Sequence, residues 1–163
     1  MDRLILLRHG KAEPDSESGE DFDRRLAPRG VQESAEMGAR LADMGFQPQV
    51  ALVSPAARAK ATWESAQSAF PNAETRFLDH LYHADSETIR RAAEEAGASV
   101  ATVMMVGHNP GMQELTIRLL QEGAAPSGLI AKAHRNFPTA AAAVFLFDSN
   151  GRPQFDGLFY PDR

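Results

Sequence analysis

The sequence predicts an α/β fold, a three-layer sandwich with a mostly parallel central sheet flanked by helices, on two observations. Four short apolar runs, Leu4 to Leu7, Val50 to Val53, Val100 to Val106 and Ala142 to Phe147, lack the polar alternation of a half-exposed strand, as expected of strands covered on both faces. Between them lie segments whose apolar residues recur at spacings of three and four, the period of a helix with one buried stripe.

In chain order, Leu4 to Leu7 runs into Arg8, His9 and Gly10, and the polar segment Lys11 to Arg29, with two prolines, resists assignment. Val31, Ala35, Gly38, Leu41 and Ala42 share one face of a helix predicted from Gly30 to Met44, with Gly45 as its stop. The run at Val50 leads into an alanine-rich helix from Pro55 to Ala69 that ends before Pro71, followed by a weaker strand from Glu74 to Leu78. Asp85 or Ser86 caps a helix that places Ile89, Ala92, Ala93 and Ala96 on one side, and Gly97 suits its end. After Val106, Pro110 pre-sets the first turn of a helix carrying Met112, Leu115 and Leu119. The stretch from Gln121 to Pro138 is punctuated by Gly123, Pro126 and Gly128 and also resists assignment, as a long binding loop or lid would. Ala142 to Phe147 and a weaker strand from Gln154 to Phe159 complete the pattern.

A length of 163 residues, with 43% hydrophobic and 24% charged residues, fits a single globular domain over residues 1–163. The net charge of −5 argues against nucleic acid as a partner, because phosphate-backbone binding needs a basic face. There are no cysteines, so disulfides, thiolate metal sites and cysteine nucleophiles are excluded together. The first apolar run is too short for a signal peptide or a membrane span, so a cytoplasmic protein with no membrane partner is expected.

Three strand ends share one design. "LILL" runs into Arg8 and His9, "VALV" into Ser54 and then Arg58, and "VATVMMV" into His108 and Asn109. In parallel sheets the ligand crevice lies at the carboxyl ends of the strands, so these residues are expected to meet in one pocket. Guanidinium and imidazole groups with no carboxylate at the junctions describe an anion site, and helix N-termini after Pro55 and Pro110 would add backbone N–H donors. Each residue also has a structural explanation: a polar turn at Arg8 and His9, a solvated helix charge at Arg58, a helix cap at Asn109. From the residues alone both readings stand.

The segments "LRHGKAE", "DRRLAPRG", "SPAARAKAT" and "GHNPGM", in this order between Leu4 and Asp148, resemble the histidine phosphatase superfamily, and most of all its small branch of SixA-type phosphohistidine phosphatases. The resemblance implies a phosphoglycerate mutase-like α/β sandwich. It implies that His9 is the nucleophile, forming a covalent phosphohistidine that water hydrolyses. Arg8, Arg58 and His108 match the rest of the catalytic phosphate pocket, and Arg24 matches a phosphate-contacting arginine of the family. Ser54 and Asn109 are the remaining candidates for substrate binding.

No metal and no cofactor are expected, since arginines can neutralise the transferring phosphoryl group. Arginines beside the histidines would also repel a metal cation. A backbone carbonyl, that of Gly10, is the expected partner that fixes the His9 tautomer. Larger relatives place an acid after the third strand; here that segment holds Asp79, His80, His83 and Asp85. Asp85 reads as a helix cap and His80 and His83 as surface or packing residues. The missing acid, and the absence of an inserted closing segment, favour a phosphohistidine on a partner protein as substrate, with phosphate or sulfate as an anion the pocket would take. The alternatives are a phosphatase for a small phosphate ester, using Asp79, His80 or Asp85 as acid, and a phosphate-binding module without turnover. Lys132, His134 and Arg135 are the expected docking rim.

Overall fold

The computed structural model describes the chain from Met1 to Arg163. Its strands are β1 (Arg3–Arg8), β2 (Val50–Val53), β3 (Glu74–Phe77), β4 (Thr102–Gly107), β5 (Ala142–Phe147) and β6 (Pro153–Phe159). All six form one sheet in the order β3-β2-β4-β1-β5-β6. β1 pairs parallel with β4, and β2 parallel with β4 and β3, whereas β5 is antiparallel to both β1 and β6. The sheet is therefore mostly parallel, with β5 alone reversed.

The uninterrupted apolar runs follow from burial on both faces. Leu4, Leu6, Leu52 and Met105 point to one core, which is closed by α3 (Ser86–Gly97), α4 (Gly111–Glu122) and α5 (Ser127–Arg135) through Ile89, Leu115 and Ala133. Ile5, Leu7, Val53 and Met104 point the other way, to a core closed by α1 (Pro28–Asp43) and α2 (Ala57–Ala66) through Met37, Leu41 and Trp63. Alternate residues of a strand face opposite sides, so every position in these runs is apolar. No helix is long and apolar enough to cross a membrane.

The two segments that resist assignment are both built. Within Gln121 to Pro138 lies α5, nine residues long, preceded by the extended backbone of Pro126. Gly128 in its first turn and the glycine and proline before it hide the helix signal, yet Ala133 and the following Phe137 are fully buried. This stretch thus anchors to the core layer through Ala133 and Phe137, while Pro126, Gly128, Ala131, His134 and Arg135 are exposed. Lys11 to Arg29 loops back on itself through an Ala12–Leu26 bridge and the hydrogen bonds Glu13 N to Arg25 O (2.8 Å) and Ala27 N to Lys11 O (2.8 Å). It contains a short 3-10 turn, Asp21–Asp23, and delivers the chain to α1, which starts at Pro28, two residues before the predicted Gly30. Gly30 is required there: a Cβ would stand 2.2 Å from the Lys11 carbonyl oxygen.

Candidate active site

The register of the sheet brings the three strand ends together. Arg8 pairs with Gly107 and Val53 with Val106, so the residues that follow β1, β2 and β4 emerge side by side at one edge. Backbone hydrogen bonds extend this alignment past the strands, from His9 N to Gly107 O and from Ser54 N to Val106 O, each 3.0 Å. Arg8, His9, Arg24, Arg58, His108 and Asn109 line one cavity of about 260 Å³ together with Lys11, Ala12 and Thr139.

His9 is only 7% exposed. Its Nδ1 lies 2.8 Å from the Gly10 carbonyl oxygen. A carbonyl can only accept, so the proton is on Nδ1 and the lone pair on Nε2. Arg58 Nε approaches that Nε2 at 3.4 Å. The turn carrying His9 is fixed to α2, because Gly10 N donates to Thr62 Oγ1 (2.9 Å), whose hydroxyl donates to Arg58 O (2.8 Å). Burial first, then the Arg8, Arg58 and Arg24 charges, lower the His9 pKa to about 3 against the opposing Gly10 hydrogen bond. The ring is neutral at physiological pH.

His108 stands with its ring centre 5.1 Å from that of His9. Ser54 is fully buried behind the cavity, where its Oγ lies 2.7 Å from His108 Nε2 and orients that ring instead of lining the pocket. Burial, followed by His9, Arg58 and His83, lowers the His108 pKa to about 3. Arg8 is held through Nη1 to Phe137 O (3.0 Å). Asn109 donates from Nδ2 to the same carbonyl (2.9 Å) and accepts from Gln113 N (3.2 Å), so it caps α4 as well as lining the cavity. Arg24 reaches the cavity from the segment before α1, anchored by Nε to Glu13 O at 2.8 Å.

Sequence patterns miss one carboxylate. Asp21 accepts from Arg24 Nη1 (2.9 Å), Arg58 Nη2 (3.0 Å) and the Tyr82 hydroxyl (2.5 Å), and Arg58 Nη1 donates to its backbone oxygen (2.9 Å). His83 Nε2 lies 3.3 Å from the same carboxylate. These contacts, the Tyr82 hydrogen bond first, hold the Asp21 carboxyl well below the usual carboxylate range. The three other acid candidates lie outside the cavity. Asp79 and His80 are exposed in a 3-10 turn, and Asp85 caps α3 by accepting from Thr88 N at 2.8 Å. No group of three or more His, Asp or Glu side chains is arranged to hold a metal ion.

A cationic pocket with two neutral imidazoles at the carboxyl edge of such a sheet defines a phosphate-handling α/β protein. The chain belongs to the histidine phosphatase superfamily, whose branch 1 model matches residues 4–85. An uncharacterised protein of Mycobacterium tuberculosis is 32% identical over 139 residues, spanning 85% of this chain and 85% of its own. The SixA structure from Agrobacterium tumefaciens superposes with a TM-score of 0.85 at 32% identity, covering 98% of both chains. A protein histidine phosphatase SixA complexed with tungstate superposes with a TM-score of 0.79 at 25% identity, covering 98% of this chain and 97% of that one.

The two depressed imidazoles predict an acid-sensitive fold. Folded His9 and His108 stay neutral down to about pH 3, whereas in the unfolded chain each takes a proton near its ordinary pKa of about 6.5. Between these limits the unfolded state binds more protons, so stability falls as pH falls. The slope approaches about 1.4 kcal/mol per pH unit for each imidazole. Below about pH 4, loss of the Asp21 and Glu33 carboxylates, both with lowered pKa, acts in the same direction. Urea unfolding at pH 7, 6 and 5 measures this; equal stability at all three would contradict it.

Proposed function

We propose that the protein is a metal-independent phosphatase that hydrolyses phosphohistidine on a partner protein through a covalent phosphohistidine on His9. The observation that carries this reading is the His9 tautomer: Nδ1 is committed to Gly10 O, and the Nε2 lone pair faces the cavity's cationic wall beside Arg58. In the first step the substrate nitrogen takes a proton from solvent, His9 Nε2 attacks phosphorus, the bond from phosphorus to that nitrogen breaks, and the neutral substrate imidazole leaves. In the second, water attacks phosphorus, gives up a proton, and releases inorganic phosphate and His9. Negative charge grows on the phosphoryl oxygens during both steps. Arg8, Arg24 and Arg58, fixed by carbonyl and carboxylate partners, are placed to stabilise it without reorganisation. His108 and Asn109 complete the wall, and Ser54 holds His108.

The choice of phosphohistidine is supported by the likeness to SixA structures over nearly the whole chain and by the small size of the cavity, which suits a phosphoryl group better than an enclosed metabolite. The test compares kcat/KM for a phosphohistidine-bearing protein and for para-nitrophenyl phosphate, both in excess chelator. The expected result is a preference for phosphohistidine of roughly 100-fold or more, about 3 kcal/mol of transition-state discrimination. Preference for the ester would redirect the search to small phosphate esters, and activity lost in chelator would overturn the metal-free reading.

A further inference from the structure

We propose that Lys11 binds a carboxylate of the phosphorylated partner, so that the enzyme selects phosphohistidines flanked by Asp or Glu. The proposal rests on the reading of the protein as a phosphohistidine phosphatase and names the sequence context of its substrate.

Of the four cations that line the cavity, three are engaged within the chain. Arg8 donates to Phe137 O, Arg24 to Glu13 O and to Asp21, and Arg58 to Asp21. Lys11 is exposed, and its ammonium has no hydrogen-bond, ion-pair or ring partner. The sequence holds only two other lysines, and both lie over aromatic rings. Lys60 Nζ is 5.0 Å from the centre of the Phe77 ring, and Lys132 Nζ is 4.6 Å from that of Tyr160.

The charge balance of the site identifies what Lys11 is free to bind. Both imidazoles are neutral. Three guanidiniums less the Asp21 carboxylate leave two positive charges at the phosphate site, and a phosphoryl group brings about two negative ones. Lys11 adds a positive charge that the phosphoryl group leaves uncompensated. No carboxylate lines the cavity to neutralise it, and Glu13, Asp15 and Glu17, the acids that follow it in sequence, line a separate cleft. One remaining positive charge matches one carboxylate, whereas a second phosphate would bring about two charges.

The backbone sets where this ammonium stands relative to the reacting atom. Lys11 follows His9 by two residues, and its carbonyl accepts from Ala27 N, at the start of α1, at 2.8 Å. Gly10, between them, donates to Thr62 Oγ1 on α2 at 2.9 Å. The main chain of Lys11 is thus fixed between two helices, while its side chain is free. A flexible four-carbon stem lets a point charge follow carboxylates that differ in place from one partner to another, which a rigid guanidinium fork does not. Arginines hold the group common to all substrates, and the lysine is left for the one that varies.

Binding of two peptides tests this. Both carry a non-hydrolysable phosphohistidine analogue, flanked on each side by Glu in one and by Gln in the other. Kd is measured by calorimetry for the wild type, Lys11→Met and Lys11→Glu; the contacts that fix Lys11 are made by its backbone, so the variants keep the fold. The wild type is expected to bind the Glu peptide roughly three- to tenfold more tightly, a gain between that of an exposed ion pair and that of a charge-assisted hydrogen bond. The preference should vanish in Lys11→Met, reverse in Lys11→Glu, and shrink in the wild type as salt is raised from about 0.05 to 0.5 M. Equal affinity of the wild type for both peptides would overturn the proposal. So would a preference that survives in Lys11→Met; an equal loss for both peptides would then place the ammonium on the phosphoryl group. Turnover is read separately, on the parent phosphohistidine peptides. Glu-selective binding without hydrolysis would overturn the phosphatase reading and leave that of Lys11 intact.

Discussion

His9→Ala is expected to lower kcat/KM by roughly 10⁴-fold or more, the scale seen when a covalent nucleophile is removed. The same variant should bind tungstate or phosphate within about tenfold of the wild type, because in the proposed mechanism the guanidinium groups carry anion binding. The separation arises from the geometry. His9 contributes a lone pair on Nε2, and its other nitrogen is fixed by Gly10 O at 2.8 Å. Arg8, Arg24 and Arg58 are each held by partners other than His9: Phe137 O, Glu13 O and Asp21. Acid-labile, base-stable label from a phosphorylated substrate should appear on His9 in the wild type and vanish in the variant. Label on His108, whose Nε2 faces Ser54 Oγ at 2.7 Å, would sink the assignment.

How much of this could be read from the chain depends on how local each signal is. Strands β1, β2, β4 and β5 are legible because burial on both faces makes every position apolar, and the residues next to each strand end inherit the sheet's register without further information. Arg8, His9, Ser54, Arg58, His108 and Asn109 all sit within five residues of such an end. α5 is hidden because Pro126 and Gly128 punctuate its start, although Ala133 has no more solvent exposure than a strand residue. Asp21 is hidden for a different reason. It lies in a polar segment with no periodicity, and its partners Tyr82 and His83 are about sixty residues away, so only the folded chain joins them. The expectation that His83 is a surface or packing residue holds for its exposure and misses its carboxylate partner for the same cause.

Arg58→Lys is expected to lower kcat by roughly 100- to 1,000-fold, the range for loss of one preorganised donor to a developing oxyanion, despite keeping the charge. Arg58 is 4% exposed, and all three of its nitrogens are used: Nε toward His9 Nε2 at 3.4 Å, Nη1 on Asp21 O at 2.9 Å and Nη2 on Asp21 Oδ2 at 3.0 Å. A lysine ammonium is a compact point charge and cannot span the nucleophile and the carboxylate together. Phosphate affinity, which depends mainly on net positive charge, should fall far less than kcat, and Arg58→Ala should lose both. The Asp21 carboxyl, held low in part by Arg58, should titrate at higher pH in either variant. Steady-state kinetics with phosphate as a competitive inhibitor separates these quantities. Wild-type kcat in Arg58→Lys would show that charge alone suffices and that the fork joining His9 to Asp21 has no part in the reaction.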